Sequence, residues 1–138
     1  MVLAVETRGA ESLNASLLAG RHVTLDKITS IATSLGVSRV AARAYELAQE
    51  PNERSVVLSD AEAAMGCVRF ADEERILVET SCGVSLAAVY IGTLRKALGV
   101  GMSDEEWSRM KVVVSVCGGS DVSIERIKEY RQRYSTEV

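Results

Sequence analysis

Residues 112–116, Val-Val-Val-Ser-Val, are apolar or small with no polar alternation, and four of the five are valine. A short β-branched run bounded by turn residues predicts a strand buried on both faces. The run stops at Cys117-Gly118-Gly119-Ser120, after which Asp121 or Ser123 can cap a helix carrying Ile124, Ile127 and Tyr130. In open α/β sheets a strand, a tight turn and a helix start in this order mark the place where ligands sit. The glycines let backbone approach a ligand, and the free N–H groups of a helix start favour an anion or a polar ring atom. Two glycines after a strand read equally as a plain strand–helix connection.

The rest of the chain alternates in the same way. Residues 2–5 predict a strand, and residues 13–20 a helix with Leu13, Leu17 and Leu18 on one face. A chain that opens directly in a strand suggests a piece cut from something longer. A helical turn is expected near 28–34, a short strand at 37–40, a helix at 41–49 stopped by Pro51, and a strand at 56–58. Ser59-Asp60-Ala61-Glu62 has the form of a capping box, opening a helix to about residue 72. Residues 76–79 predict another strand, followed by a helix capped by Thr80 or Ser81 and running to about 98. Ser103 to Glu106 cap a short turn at Trp107. The fold class expected is α/β: a three-layer αβα arrangement with a mainly parallel sheet, and 112–116 as an interior strand.

Composition narrows the possibilities. A chain of 138 residues is one domain able to bury a core. The net charge of −3 without a basic block, together with few aromatics, argues against a nucleic-acid partner. No apolar stretch approaches membrane-spanning length, and Glu6 and Arg8 interrupt the apolar start too early for a signal peptide. Cys67, Cys82 and Cys117 are odd in number and lack metal-ligand spacing, so free thiols in a reducing, cytoplasmic setting are expected. The single histidine, His22, has no nucleophile or ligand partner in its surroundings and reads as a surface residue.

The segment VCGGSDVS resembles the VCGGSN segment of the L-serine dehydratases, pyridoxal-phosphate (PLP) enzymes of the tryptophan-synthase-β fold type. ETRGAESLNASLLAG, LDKITSIATSLGV and DEERILVETSCGVSLAAVY occur here in that family's order and at about its spacing. The resemblance covers essentially the whole chain but only the C-terminal part of the family's chain. It implies that residues 1–138 form a single partial PLP-enzyme large domain, of the kind called fold type II.

What the resemblance implies for individual residues follows position by position. Cys117 falls where the family faces the pyridine nitrogen of PLP, with Gly118 beside it. A neutral thiol there leaves the nitrogen largely unprotonated, which weakens the ring as an electron sink and suits elimination. Glu6, Ala10, Ser12, Leu35 and Val37 match positions that surround a monovalent cation, through a carboxylate, a hydroxyl and three backbone carbonyls. Thr80 replaces the proline usual in the family's E-P-x-C-G turn, which leaves the turn less rigid; Glu79 to Gly83 reads as framework, with Ser81 as cap, Gly83 as a close-packing point and Cys82 as core. Asp121 stands where asparagine is common, adding negative charge near the ring end.

The lysines, Lys27, Lys96, Lys111 and Lys128, all lie outside the family's cofactor-lysine context and read as solvated charges. The glycine-rich phosphate cradle and the substrate-carboxylate loop also have no counterpart here. Two functions follow. One is the C-terminal portion of a PLP-dependent lyase that removes ammonia from L-serine or L-threonine, completed by an N-terminal fragment. The other is a catalytically inactive truncated homologue that serves as a binding or homo-oligomerisation module.

Overall fold

The computed structural model describes residues 1–137. Strand β1 (Val2–Thr7) and strand β2 (Glu53–Leu58) pair in parallel, Val2 opposite Glu53 and Thr7 opposite Leu58. Helix α1 (Ser12–Ala19) and helix α2 (Ala42–Leu47) lie in the connection between them, with a single 3-10 turn at Thr33–Leu35. Helix α3 (Asp60–Glu74), α4 (Thr80–Tyr90), α5 (Thr93–Leu98), α6 (Asp104–Ser108) and α7 (Ile124–Tyr134) follow. The architecture is α/β with a small parallel sheet.

The capping box expected at Ser59 forms, and the cap expected at Ser103 proves to be a second one. The Ser59 hydroxyl accepts the Glu62 N–H at 3.1 Å, while the Glu62 carboxylate accepts the Ser59 N–H at 2.6 Å. Ser103 and Glu106 repeat the pattern at α6. Helix α4 has no side-chain cap, because the Thr80 hydroxyl donates instead to the Ile31 carbonyl at 3.2 Å. The expected single helix to residue 98 is two helices. Gly92 has φ +77°, a left-handed conformation that ends one helix and begins the next.

The core lies where α3 crosses α4. Cys67, Val68, Val78, Cys82, Leu86 and Ile127 form one buried cluster, and Leu58, Ala63, Val84, Ala87 and Ala88 another. The crossing is a backbone-to-backbone contact. A Cβ on Gly66 would strike the Gly83 carbonyl oxygen, and one on Gly83 would strike the Ala63 carbonyl oxygen. Helix α7 packs on α3, with Tyr134 buried beside Ala61 and Ala64. A bidentate Arg131–Asp72 pair at 2.7 and 2.8 Å joins the same two helices at the surface.

Three expected strands do not form. Residues 37–40 and 76–79 have no regular structure, although Val78 is buried in the core. Residues 112–116 are neither a strand nor interior: Val113 is 94% exposed, and Val112 and Val116 are 48% and 42% exposed. Among the described residues, the backbone of 111–116 makes no hydrogen bond. The reason is physical. A run of valines supplies the propensity for a strand, but a strand also needs a neighbouring backbone, and the fold brings none alongside.

His22 is also more than a surface residue. Its Nε2 lies 2.6 Å from the Val40 carbonyl, and its ring stacks on Tyr45 with centroids 5.1 Å apart. It ties the segment after α1 to α2.

A candidate cofactor site at the C-terminal half of the chain

Cys117 and Gly118 lie against the start of α4, and Cys82 is the hub that joins them. The Cys82 and Cys117 sulfurs are 3.1 Å apart. The Cys117 and Gly118 N–H groups donate to Cys82 Sγ at 3.2 and 3.4 Å, and the Glu79 N–H donates to the Gly118 carbonyl at 3.2 Å. Gly119 sits so close to the Leu77 carbonyl that a side chain there would collide with it. The turn is thus fixed to the chain just before α4, while Cys117 itself stays exposed. The hydrogen bond with Cys82 raises the Cys117 thiol above its ordinary pKa, so the thiol is neutral at physiological pH.

Gly118 has φ +148° and open space where a side chain would stand. A thiol and bare backbone facing solvent suit the edge of a planar aromatic ring, so the residues present fit the ring end of PLP. Next to this turn, Ser34, Glu79, Thr80, Asp121, Arg126 and Tyr130 line a polar cavity of about 270 Å³. Burial raises the pKa of Tyr130. The contribution of Arg126 and Tyr130 was not read from sequence. Tyr130 reads from sequence as part of the helix stripe with Ile124 and Ile127, and Arg126 carries no signal beside it.

The second constellation is partly assembled. Glu6, at the end of β1, is buried and accepts the Leu13 and Asn14 N–H groups at 2.9 and 2.8 Å, so it caps α1 from a distance. Burial raises its pKa above the ordinary 4.5, against the lowering effect of these two bonds. Ala10 and Ser12 are buried beside it in the chain, and the Ser12 hydroxyl has no hydrogen-bond partner. Leu35 packs in the cluster that also contains Val5. Val37 is 52% exposed, and its N–H donates to the Leu35 carbonyl at 3.0 Å. Glu6, Ala10 and Ser12 therefore share one locale at the start of α1, whereas Leu35 packs against the cluster of Leu58, Ala63, Val84, Ala87 and Ala88, and Val37 lies at the surface. The four lysines are all exposed.

A larger concavity lies elsewhere. Between β1 and residues 111–115 runs an apolar groove of about 600 Å³, lined by Leu3, Val5, Leu98, Trp107, Val112 and Val114 among others. β1 forms one wall, and among the described residues its edge away from β2 has no partner strand. No helix of the described residues is long and apolar enough to cross a membrane.

A parallel α/β frame, a glycine turn after a valine run and a thiol at its tip define a class, and residues 1–118 match the family model of pyridoxal-phosphate dependent enzymes. The chain belongs to that family. It is 48% identical over 130 residues to the serine dehydratase-like protein of Rattus norvegicus, covering 94% of this chain and 39% of that one. It is 42% identical over 132 residues to the human L-serine dehydratase/L-threonine deaminase, covering 96% and 40%. Among solved structures, a fungal L-serine ammonia-lyase from Rhizomucor miehei superposes with a TM-score of 0.83 at 38% identity, over 96% of this chain and 41% of that one. Maize serine racemase, at 22% identity and a TM-score of 0.64, shares the fold. The chain spans about two fifths of the length of the curated relatives it matches.

Proposed function

We propose that this chain is the C-terminal portion of an L-serine/L-threonine dehydratase-like lyase, completed by an N-terminal part that supplies the cofactor lysine, phosphate cradle and substrate loop. The observation that carries this reading is the apolar groove beside the unpaired backbone of residues 111–116. A two-stranded parallel sheet is marginal, since parallel sheets are normally larger and covered on both faces. Each valine moved from water into a packed interior contributes about 1.5–3 kcal/mol. Several of the family's motif residues thus stand beside a face that a complementary part would cover.

In the completed protein Cys117 and Gly118 would hold the ring end of PLP, which supplies an electron sink for loss of the substrate β-hydroxyl and then ammonia. The Cys117 thiol would donate a hydrogen bond to the ring nitrogen without protonating it. Glu6, Ala10, Ser12, Leu35 and Val37 would surround a monovalent cation. The unpartnered Ser12 hydroxyl and the raised pKa of Glu6 support this, because both are answered by a positive charge with open coordination.

The test is to mix the chain with the separately produced N-terminal part of the rat serine dehydratase-like protein and PLP. Sedimentation and the release of 2-oxo acid from L-serine and L-threonine are then followed. A one-to-one complex that yields pyruvate or 2-oxobutanoate is the expected result. A stable complex with no product would favour the inactive binding-module reading. A monomer indifferent to the added part would overturn both.

A further inference from the structure

Cys82 and Cys117 are 35 residues apart in sequence and 3.1 Å apart at sulfur. Cys117 is exposed and Cys82 is fully buried directly behind it. Cys82 lies in the first turn of α4, an 11-residue helix, and receives two further backbone N–H groups from Cys117 and Gly118. These two N–H groups hold the Cys82 sulfur in place behind Cys117. The sulfurs need to approach by only about 1 Å to reach the roughly 2.05 Å of a disulfide bond. Residues 111–116, which lead into Cys117, make no backbone hydrogen bond among the described residues, while the contacts of Gly118 and Gly119 with residues 77–79 keep Cys117 seated against Cys82.

We propose that Cys82 and Cys117 form an oxidisable dithiol that closes to an intramolecular disulfide by exchange with a small-molecule disulfide. The Cys117 thiolate attacks one sulfur of the small disulfide. A Cys117 mixed disulfide forms, and one small thiolate leaves and takes up the proton Cys117 gave up. The Cys82 thiolate then attacks Cys117 Sγ, the Cys82–Cys117 bond forms, and the second small thiolate leaves and is protonated in turn. The protein loses two electrons and two protons, and one small disulfide becomes two small thiols. The exposed thiol meets the reagent, and the buried one resolves the adduct.

The third cysteine is an internal control. Cys67 is buried in the same cluster, and burial pushes its thiol from the ordinary 9.0 up to about 12. It is also fully buried, so a reagent in solution meets the exposed Cys117 and not Cys67. Closure would also remove the thiol that faces the cofactor ring, a consequence that rests on the function proposed above, whereas the bond itself does not.

The experiment needs neither cofactor nor partner. The native chain is incubated with oxidised glutathione, quenched in acid, alkylated under denaturing conditions and digested for mass spectrometry. The expected product joins the Cys82 and Cys117 peptides, in at least roughly tenfold excess over any species containing oxidised Cys67. The Cys82→Ser variant should stop at a Cys117–glutathione adduct, and in the Cys117→Ser variant Cys82 should remain unmodified. A Cys117 adduct that persists in the unaltered chain, a bond involving Cys67, or three free thiols after treatment would each overturn the proposal. The unaltered chain decides the matter alone if either variant fails to fold.

Discussion

Replacing Gly66 by alanine sets two effects of opposite sign against each other. Gly66 lies in the interior of α3, where glycine is about 1 kcal/mol worse than alanine, so helix propensity alone makes Gly66→Ala stabilising. Packing says otherwise. The new methyl would overlap the Gly83 carbonyl oxygen and stand 3.2 Å from the Ala87 Cβ. The first obstacle is backbone, which cannot rotate away as a side chain does. To relieve the overlap, α3 and α4 must separate, loosening Cys67, Val68, Val84 and Ala87 along the whole crossing. Overpacking of this kind costs about 1–3 kcal/mol and more when backbone must move. With the cost at or above the top of that range, the net loss is about 2 kcal/mol or greater. Urea unfolding followed by far-ultraviolet circular dichroism measures it as a fall in midpoint at unchanged slope. Loss of the cooperative transition points the same way. A midpoint equal to or above that of the unaltered chain would refute the reasoning, because propensity would then have outweighed the crossing.

The two capping boxes have the same geometry but cap different helices. Ser59→Ala should lower stability by about 1 kcal/mol, since α3 carries the core, whereas Ser103→Ala should cost clearly less in the same urea assay. Equal losses would show that the caps act locally only. For Glu6, burial favours the protonated carboxyl in the folded chain, so its contribution is fully present below the ordinary 4.5 and is lost as pH rises through the higher folded value. The Glu6→Gln variant should lack this component, and the two stability profiles measured from about pH 4 to about pH 7 should diverge across it. Parallel profiles would contradict the assignment. Finally, PLP followed by borohydride should label no single lysine stoichiometrically, because Lys27, Lys96, Lys111 and Lys128 all lie outside the family's cofactor-lysine context and, as exposed charges, take only scattered, weak labelling. Peptide mapping that finds one fully modified lysine would overturn this.

What the sequence made legible was local. Ser59 with Glu62 and Ser103 with Glu106 specify helix starts through contacts three residues apart, and β1 and β2 are short β-branched runs that found each other. The valine run at 112–116 has the stronger strand composition and still forms none, because pairing depends on a second backbone that composition does not encode. Gly83 reads from the family's turn as a close-packing point and is one, whereas Gly66 was opaque: a glycine within a helix normally counts against the helix, and only the crossing shows its use. The nearness of Cys82 and Cys117 left no trace in their spacing. Glu6 and Ser12 were identified through family resemblance, and their burial side by side was visible only in three dimensions.

The exposed valine run has a consequence for how the chain behaves in bulk. From Val112 to Ser120 there is no charge and no proline, and Lys111 and Asp121 are the nearest charged residues on either side. Six-residue stretches of high β-propensity and low charge are the units from which cross-β fibrils stack, and residues 112–117 meet that description, with the backbone of 112–116 unpaired. Whatever occupies the groove therefore also acts as a solubility factor. As the chain is concentrated without an occupant, identical valine ladders become the readiest partners for one another, with Lys111 and Asp121 as the only gatekeeping charges at the ends of the run.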